Sequence, residues 1–172
     1  MNITHIAIRL SDQTYNLPST MMRHNLISCR QDAVWLGKPD RALTPGLVET
    51  LNEQIQAGNP TYLFIIGPEG SNTPSYRAAM QRVSLKSPPE KELIPGFYKE
   101  LKMLSRIKTW FKVGDLDGFR LDEMPGLEQA NATYTKAEKL ASLLGVTSMP
   151  GYFELRQESS QPVLRPVRQP GR

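Results

Sequence analysis

A chain of 172 residues, 39% hydrophobic and 22% charged, is long enough to bury a core without disulfides or metals, and its size suits one domain. One cysteine, Cys29, excludes an internal disulfide, and with two histidines it leaves too few ligands for a dedicated zinc site. The net charge of +4 suits nucleic-acid contact without establishing it. No apolar run reaches the roughly 18 residues of a membrane span, and the first residues lack a secretory layout, so a cytoplasmic protein with no membrane partner is expected.

Ile6 to Leu10 alternate apolar with polar after His5, which predicts a first strand with one buried face, ended by Ser11-Asp12-Gln13. Pro18-Ser19-Thr20 suits a short helical turn through Met21 and Met22, and no strong period runs from Arg23 to Asp32. Ala33-Val34-Trp35-Leu36-Gly37-Lys38 then stands out. It is read as a surface loop before a helix start, with Trp35 forming one wall of a pocket for a flat ligand. The competing reading is a core tryptophan at the edge of a small barrel.

Pro39 to Leu43 is expected to be loop. Thr44-Pro45 is a helix entry, a hydroxyl at the cap and a proline where its missing N–H does no harm. Leu47, Val48, Leu51 and Ile55 share one face of that helix, and Gly58 ends it. Tyr62 to Ile66 is an unbroken apolar run, the mark of a central strand buried on both faces, and Gly67 to Asn72 is a turn.

Tyr76 to Leu85 reads as the next strand. Glu90 to Ser105 is polar, broken by Pro95-Gly96, and carries Phe97 and Tyr98; a connection of this length over the surface is often functional. Ile107 to Val113 alternates as another strand, and Gly114-Asp115-Leu116-Asp117-Gly118 is expected to turn the chain. Thr135 and Glu138 form a capping box before a helix that Gly145 ends. Gly151 to Arg156 is a last strand, closing a domain over residues 1–157, and residues 158–172 make a disordered tail or linker. Strands outnumber two amphipathic helices, so an α+β fold is expected: a curved or barrelled mixed sheet with helices at its sides.

Catalytic machinery is not legible. Walker-type and nucleophile-elbow motifs are absent, and His5 and His24 have no nucleophile at a recognisable spacing. Asp115, Asp117, Asp122 and Glu123 form an acidic cluster that does not meet the EF-hand spacing. A binding module without catalytic residues, cofactor or metal is favoured. A metal-dependent nuclease or hydrolase using that cluster, and a protein-interaction domain, are the competing classes.

Trp35-Leu36-Gly37-Lys38, Leu51 to Ile55, Pro60 to Phe64, Tyr76-Arg77-Ala78 and Ile107-Lys108-Thr109-Trp110-Phe111-Lys112 come in the order seen in EVE-like domains. The chain resembles these members of the PUA-like superfamily, relatives of YTH domains, and in particular the N-terminal specificity domains of McrB-type, modification-dependent restriction systems. The resemblance implies a small barrel that holds a modified base, flipped from its stack, in an aromatic cage. The nucleic acid would be DNA rather than RNA, with a motor or nuclease subunit or domain as a further partner. It assigns the base to Trp35, with Tyr98 or Phe97 as the second wall in place of the usual tryptophan. Asn25, ten positions before Trp35, and Tyr76 complete the base-binding set. Lys38, Arg77, Arg82, Lys86, Lys102, Arg106 and Lys108 are the candidates for phosphate contact. Flipping a base costs a few kcal/mol and stacking on an aromatic wall returns roughly 1–3 kcal/mol per base, so two walls with phosphate contacts offset the flip.

Overall fold

A computed structural model describes residues 2–9, 17–39, 41–66, 75–119, 127–129 and 152–158. The expected turn at residues 67–72, the capping-box helix after Thr135, Asp122, Glu123 and nearly all of the tail lie outside them. The fold is α+β, as expected. Its strands are β1 (Asn2–Arg9), β2 (Val34–Pro39), β3 (Tyr62–Ile66), β4 (Ser75–Ser84), β5 (Ile107–Phe119), β6 (Leu127–Gln129) and β7 (Phe153–Glu158). They form one sheet in the order β2-β5-β4-β3-β1-β7-β6, parallel between β1 and β3 and antiparallel elsewhere. The helices are α1 (Leu17–Gln31), α2 (Pro45–Gln56) and the single turn α3 (Phe97–Glu100). No helix among the described residues is long and apolar enough to cross a membrane.

α2 follows from local chemistry. The Thr44 hydroxyl accepts the Leu47 N–H at 3.3 Å, Pro45 occupies the first turn, and Leu47 and Leu51 are buried. Gly58, at φ +80°, and the Asn59 N–H bond to the Gln54 carbonyl close its end. Two of its polar residues have a use that periodicity does not reveal. β3 begins only at Tyr62, so its neighbours β1 and β4 both run past it. Gln54 bonds both the N–H and the carbonyl of Thr4 at 2.9 Å, and Asn52 does the same for Val83 at 2.9 Å. These carboxamides take the place of the missing strand and satisfy the backbone groups of Thr4 and Val83.

The expected central strand is β3, fourth of the seven, with Leu63, Ile65 and Ile66 fully buried. Three expectations are corrected. Leu17 to Gln31 is a full helix, not a short turn before an aperiodic stretch. Its inner face is Thr20, Met21, His24 and Ser28, which has the helical period but mostly in polar residues, while Met22 and Leu26 face solvent. Val34 to Pro39 is a strand, not a surface loop, and residues 33–38 are all buried. Gly114 to Gly118 does not turn the chain. It continues β5, with Ala79 opposite Gly114 and Tyr76 opposite Gly118. The irregular backbone there is absorbed by a register shift against β4, between Arg77 and Ala79, and by Asp115 at φ +48°.

Gly37 is required by crowding rather than by turn geometry. A Cβ there would lie 2.9 Å from the Ile107 side chain. Gly37→Ala is expected to destabilise the domain by about 1–3 kcal/mol, as overpacking of a buried strand does. A urea midpoint unchanged from wild type would show that the β2–β5 packing is looser than this.

Candidate functional site

Trp35 lies on β2, opposite Lys112 of β5. Only 1% of the residue is exposed. Its indole N–H, the ring's one polar atom, donates to Glu90 Oε2 at 3.1 Å. Lys112 Nζ lies 3.0 Å from the same oxygen and 3.3 Å from Oε1. Arg82 faces Lys112 from β4. The Lys112 hydrogen bond, then the indole hydrogen bond, with Arg82 contributing from farther off, hold the Glu90 carboxyl below its ordinary range. The expected open wall is therefore corrected: Trp35 is a core residue, and a carboxylate sits on its polar edge.

The second expected wall is also closed. Phe97 and Tyr98 stack on each other at 4.2 Å and are buried, Tyr98 completely, with Trp110 edge-on to Tyr98 at 5.4 Å. Tyr98 has a structural task. β2 is the end strand of the sheet, and the Tyr98 oxygen accepts the Gly37 N–H at 2.8 Å. His24, buried in α1, places Nδ1 2.7 Å from the Thr20 carbonyl, so that nitrogen carries the proton. Its Nε2 is then an acceptor and takes the Tyr98 hydroxyl proton at 2.9 Å. One relay of hydrogen bonds thus joins β2, α3 and α1. Burial lowers the His24 pKa to about 4 against the opposing pull of the Thr20 carbonyl, so the ring is neutral.

His5, on β1, is a second buried neutral imidazole. Its Nδ1 accepts the Tyr62 N–H at 3.0 Å and its other nitrogen donates to Gln157 at 2.8 Å. Desolvation lowers its pKa despite the Gln157 bond. Neither histidine is placed to act as a catalytic base, because each ring nitrogen already has a structural partner.

The remaining candidates scatter. Asn25 is on the exposed face of α1, where its oxygen accepts the Cys29 thiol at 3.5 Å. Tyr76 is half-buried on β4, and desolvation raises its pKa. Lys38 is corrected as a phosphate contact. It is 4% exposed, and its ammonium is turned inward to the carbonyls of Pro39 and Arg41 at 3.2 and 2.6 Å. Arg77 lies over the Tyr62 ring at 5.0 Å. Arg82, Lys86, Lys102, Arg106 and Lys108 are exposed. Of these, Arg82 and Lys86 lie at the end of β4 or just past it and Arg106 and Lys108 at the start of β5, and the pairing of Ser84 with Trp110 sets those two ends side by side; Lys102 is in the connection between them.

The stretch from the end of β4 through the connection to the start of β5 carries the charge. Residues 82–108 hold seven bases (Arg82, Lys86, Lys91, Lys99, Lys102, Arg106, Lys108) and three acids (Glu90, Glu92, Glu100), an excess equal to the whole chain's +4. The rest of the chain is balanced. This asymmetry is visible in the sequence, and the strand register brings its two ends, at Arg82–Lys86 and Arg106–Lys108, side by side. Glu90, Lys112 and His24 were not singled out as site residues, since their partners are 22 to 74 positions away. Among the described residues no group of histidine, cysteine or acidic side chains is placed to hold a metal ion, and Asp115 and Asp117 are exposed on β5. No family model, curated protein or solved structure matches this chain.

Proposed function

We propose that this chain is a nucleic-acid-binding module of the EVE-like, PUA-like kind. In this reading it takes a modified, methylated base of DNA, flipped from its stack, as the targeting part of a restriction or defence system. It works as a reader rather than an enzyme, with a motor or nuclease subunit or domain supplying the effector step. The observation that carries the reading is the concentration of the net charge in residues 82–108, with Arg82, Lys86, Lys102, Arg106 and Lys108 exposed and the two ends of that stretch side by side where β4 meets β5. Clustered cations around one end of a domain are the footprint of phosphate binding. A second support is that two pieces of the resemblance, Trp35 to Lys38 and Lys108 to Lys112, are direct neighbours, with Gly37 opposite Trp110.

The aromatic arrangement constrains how a base is read. Trp35, Phe97 and Tyr98 are packed shut, so a base stacks on the indole only once the packing around the ring opens, and the Glu90 contact on its N–H is one that must release. Affinity in the closed form rests on phosphate binding alone. The test is a binding panel of one duplex sequence carrying no modification, methylated adenine or methylated cytosine, beside a matched RNA. Binding is expected to favour a modified DNA and to fall steeply with salt. Arg106→Ala with Lys108→Ala is expected to lower the slope of log K against log salt by about 0.9 for each phosphate that the two side chains neutralise in the wild type. A preference for the RNA would move the module to an RNA target. Salt-insensitive binding, or none to any polyanion, would end the reading.

A further inference from the structure

We propose that Glu90 is an internal occupant of an anion site: its carboxylate fills a position built by the Trp35 indole N–H and the Lys112 ammonium, with Arg82 opposite Lys112 on the neighbouring strand, and a phosphate group of the ligand displaces it. The step deepens the nucleic-acid reading and rests on it only for the source of the phosphate.

Three observations support the inference. Arg82 and Lys112 are directly opposite each other on neighbouring strands, where like charges repel and cost stability. An anion on Lys112 offsets that cost, and Glu90 supplies it from a different segment, not from the sheet itself. The Trp35 N–H points out of an otherwise closed ring onto the same carboxylate oxygen that Lys112 approaches, so two donors from adjacent strands converge on one acceptor. Finally, the site is reachable: the side chains of Glu90 and Lys112 are 31% and 24% exposed, although the indole beneath them is buried.

A carboxylate brings one negative charge and two oxygens. A backbone phosphodiester matches that charge and oxygen count and can take the same donors, while a terminal phosphate, such as the end group of tripolyphosphate, brings three free oxygens and a charge near −2 and satisfies them more fully. Glu90 also lies in the connection between β4 and β5, just after Pro88-Pro89 and before the 3₁₀ turn Lys91–Leu93. Withdrawal of its carboxylate uncovers the polar edge of Trp35. Occupying the anion site and freeing the indole N–H are therefore one event, and the closed form restrains binding until a phosphate competes.

The experiment uses the full chain with two probes, inorganic tripolyphosphate and a methylated duplex. The readouts are dissociation constants and the indole N–H resonances of Trp35 and Trp110, distinguished by Trp35→Phe. In the wild type both probes are expected to shift the Trp35 indole resonance and leave that of Trp110 in place. Glu90→Gln keeps an oxygen for the indole but loses the charge, and it should tighten binding of both probes about tenfold. Glu92→Gln, an equal change of charge two residues on, should change it less than twofold.

Equal effects of the two variants would overturn the proposal, as would a Trp35 resonance that stays put when either probe is saturating. Failure of both probes to bind overturns it too. If tripolyphosphate binds and moves the Trp35 signal but no nucleic acid does, the anion site stands and the nucleic-acid reading falls. Should Glu90→Gln fold poorly, the wild-type resonance shifts still decide the matter.

Discussion

Trp35→Ala is expected to lower stability by about 3–5 kcal/mol, the range for deleting a large buried aromatic side chain. The ring is almost wholly enclosed, and its removal also strips Glu90 of one hydrogen-bond donor. The measurement is a urea denaturation midpoint. A cost below about 1 kcal/mol would mean that the indole is not in the core. The size of this effect matters for function, because an alanine variant that loses base preference is indistinguishable from one that has lost its fold. Trp35→Phe separates the two. It keeps an aromatic face for stacking and removes only the N–H, so the core survives with a smaller loss while the Glu90 closure is weakened. If the base preference depends on stacking, it persists in Trp35→Phe; if it depends on the N–H, it disappears there.

The second large effect is a loss of stability with acid. His24 has a folded pKa of about 4 against an unfolded value near 6.5, so between those values the unfolded chain binds the extra proton. Stability is therefore complete above pH 6.5 and falls as the pH drops towards 4. At 1.36 kcal/mol per unit the full loss is roughly 3 kcal/mol. His5 is shifted the same way, also by burial, and adds to it in the same direction. Glu90, held low by Lys112 and the indole, contributes stability that is lost only at more acidic pH, as its carboxyl protonates. Urea midpoints between pH 7.5 and 4.5 measure the sum. His24→Gln removes its share, so the variant's midpoint is expected to change less between pH 6.5 and 4.5 than the wild type's. Equal slopes would show that His24 is not the group responsible. The main cause is burial, since a charged imidazolium would be stripped of water in the core, and a proton on Nε2 would also force the Tyr98 hydroxyl to turn its own proton away.

The elements legible from the sequence are those whose cause is local. Thr44 and Pro45 begin α2 through groups within one turn, and Gly58 ends it by its own freedom at positive φ. β3 follows from five apolar residues in a row, and the first half of β5 from alternation. The exposed cations were legible as well, since a charged side chain avoids burial unless something pairs it. Lys38 is the exception, and two backbone carbonyls account for it.

What the tertiary structure alone decided is where polar groups are allowed inside. α1 hides from a hydrophobic reading because its inner face carries Thr20, His24 and Ser28, and His24 is tolerated there only because Tyr98, 74 residues on, supplies a hydroxyl. β2 and the Gly114–Gly118 stretch look like loops until β5 and β4 pair with them. Trp35 invites a cage until Glu90, 55 residues away, is found on its N–H. Propensity and periodicity act between neighbours in the chain and are written into it directly. The cost of burying a donor, an acceptor or a charge depends on which distant group meets it, and only the folded register sets that.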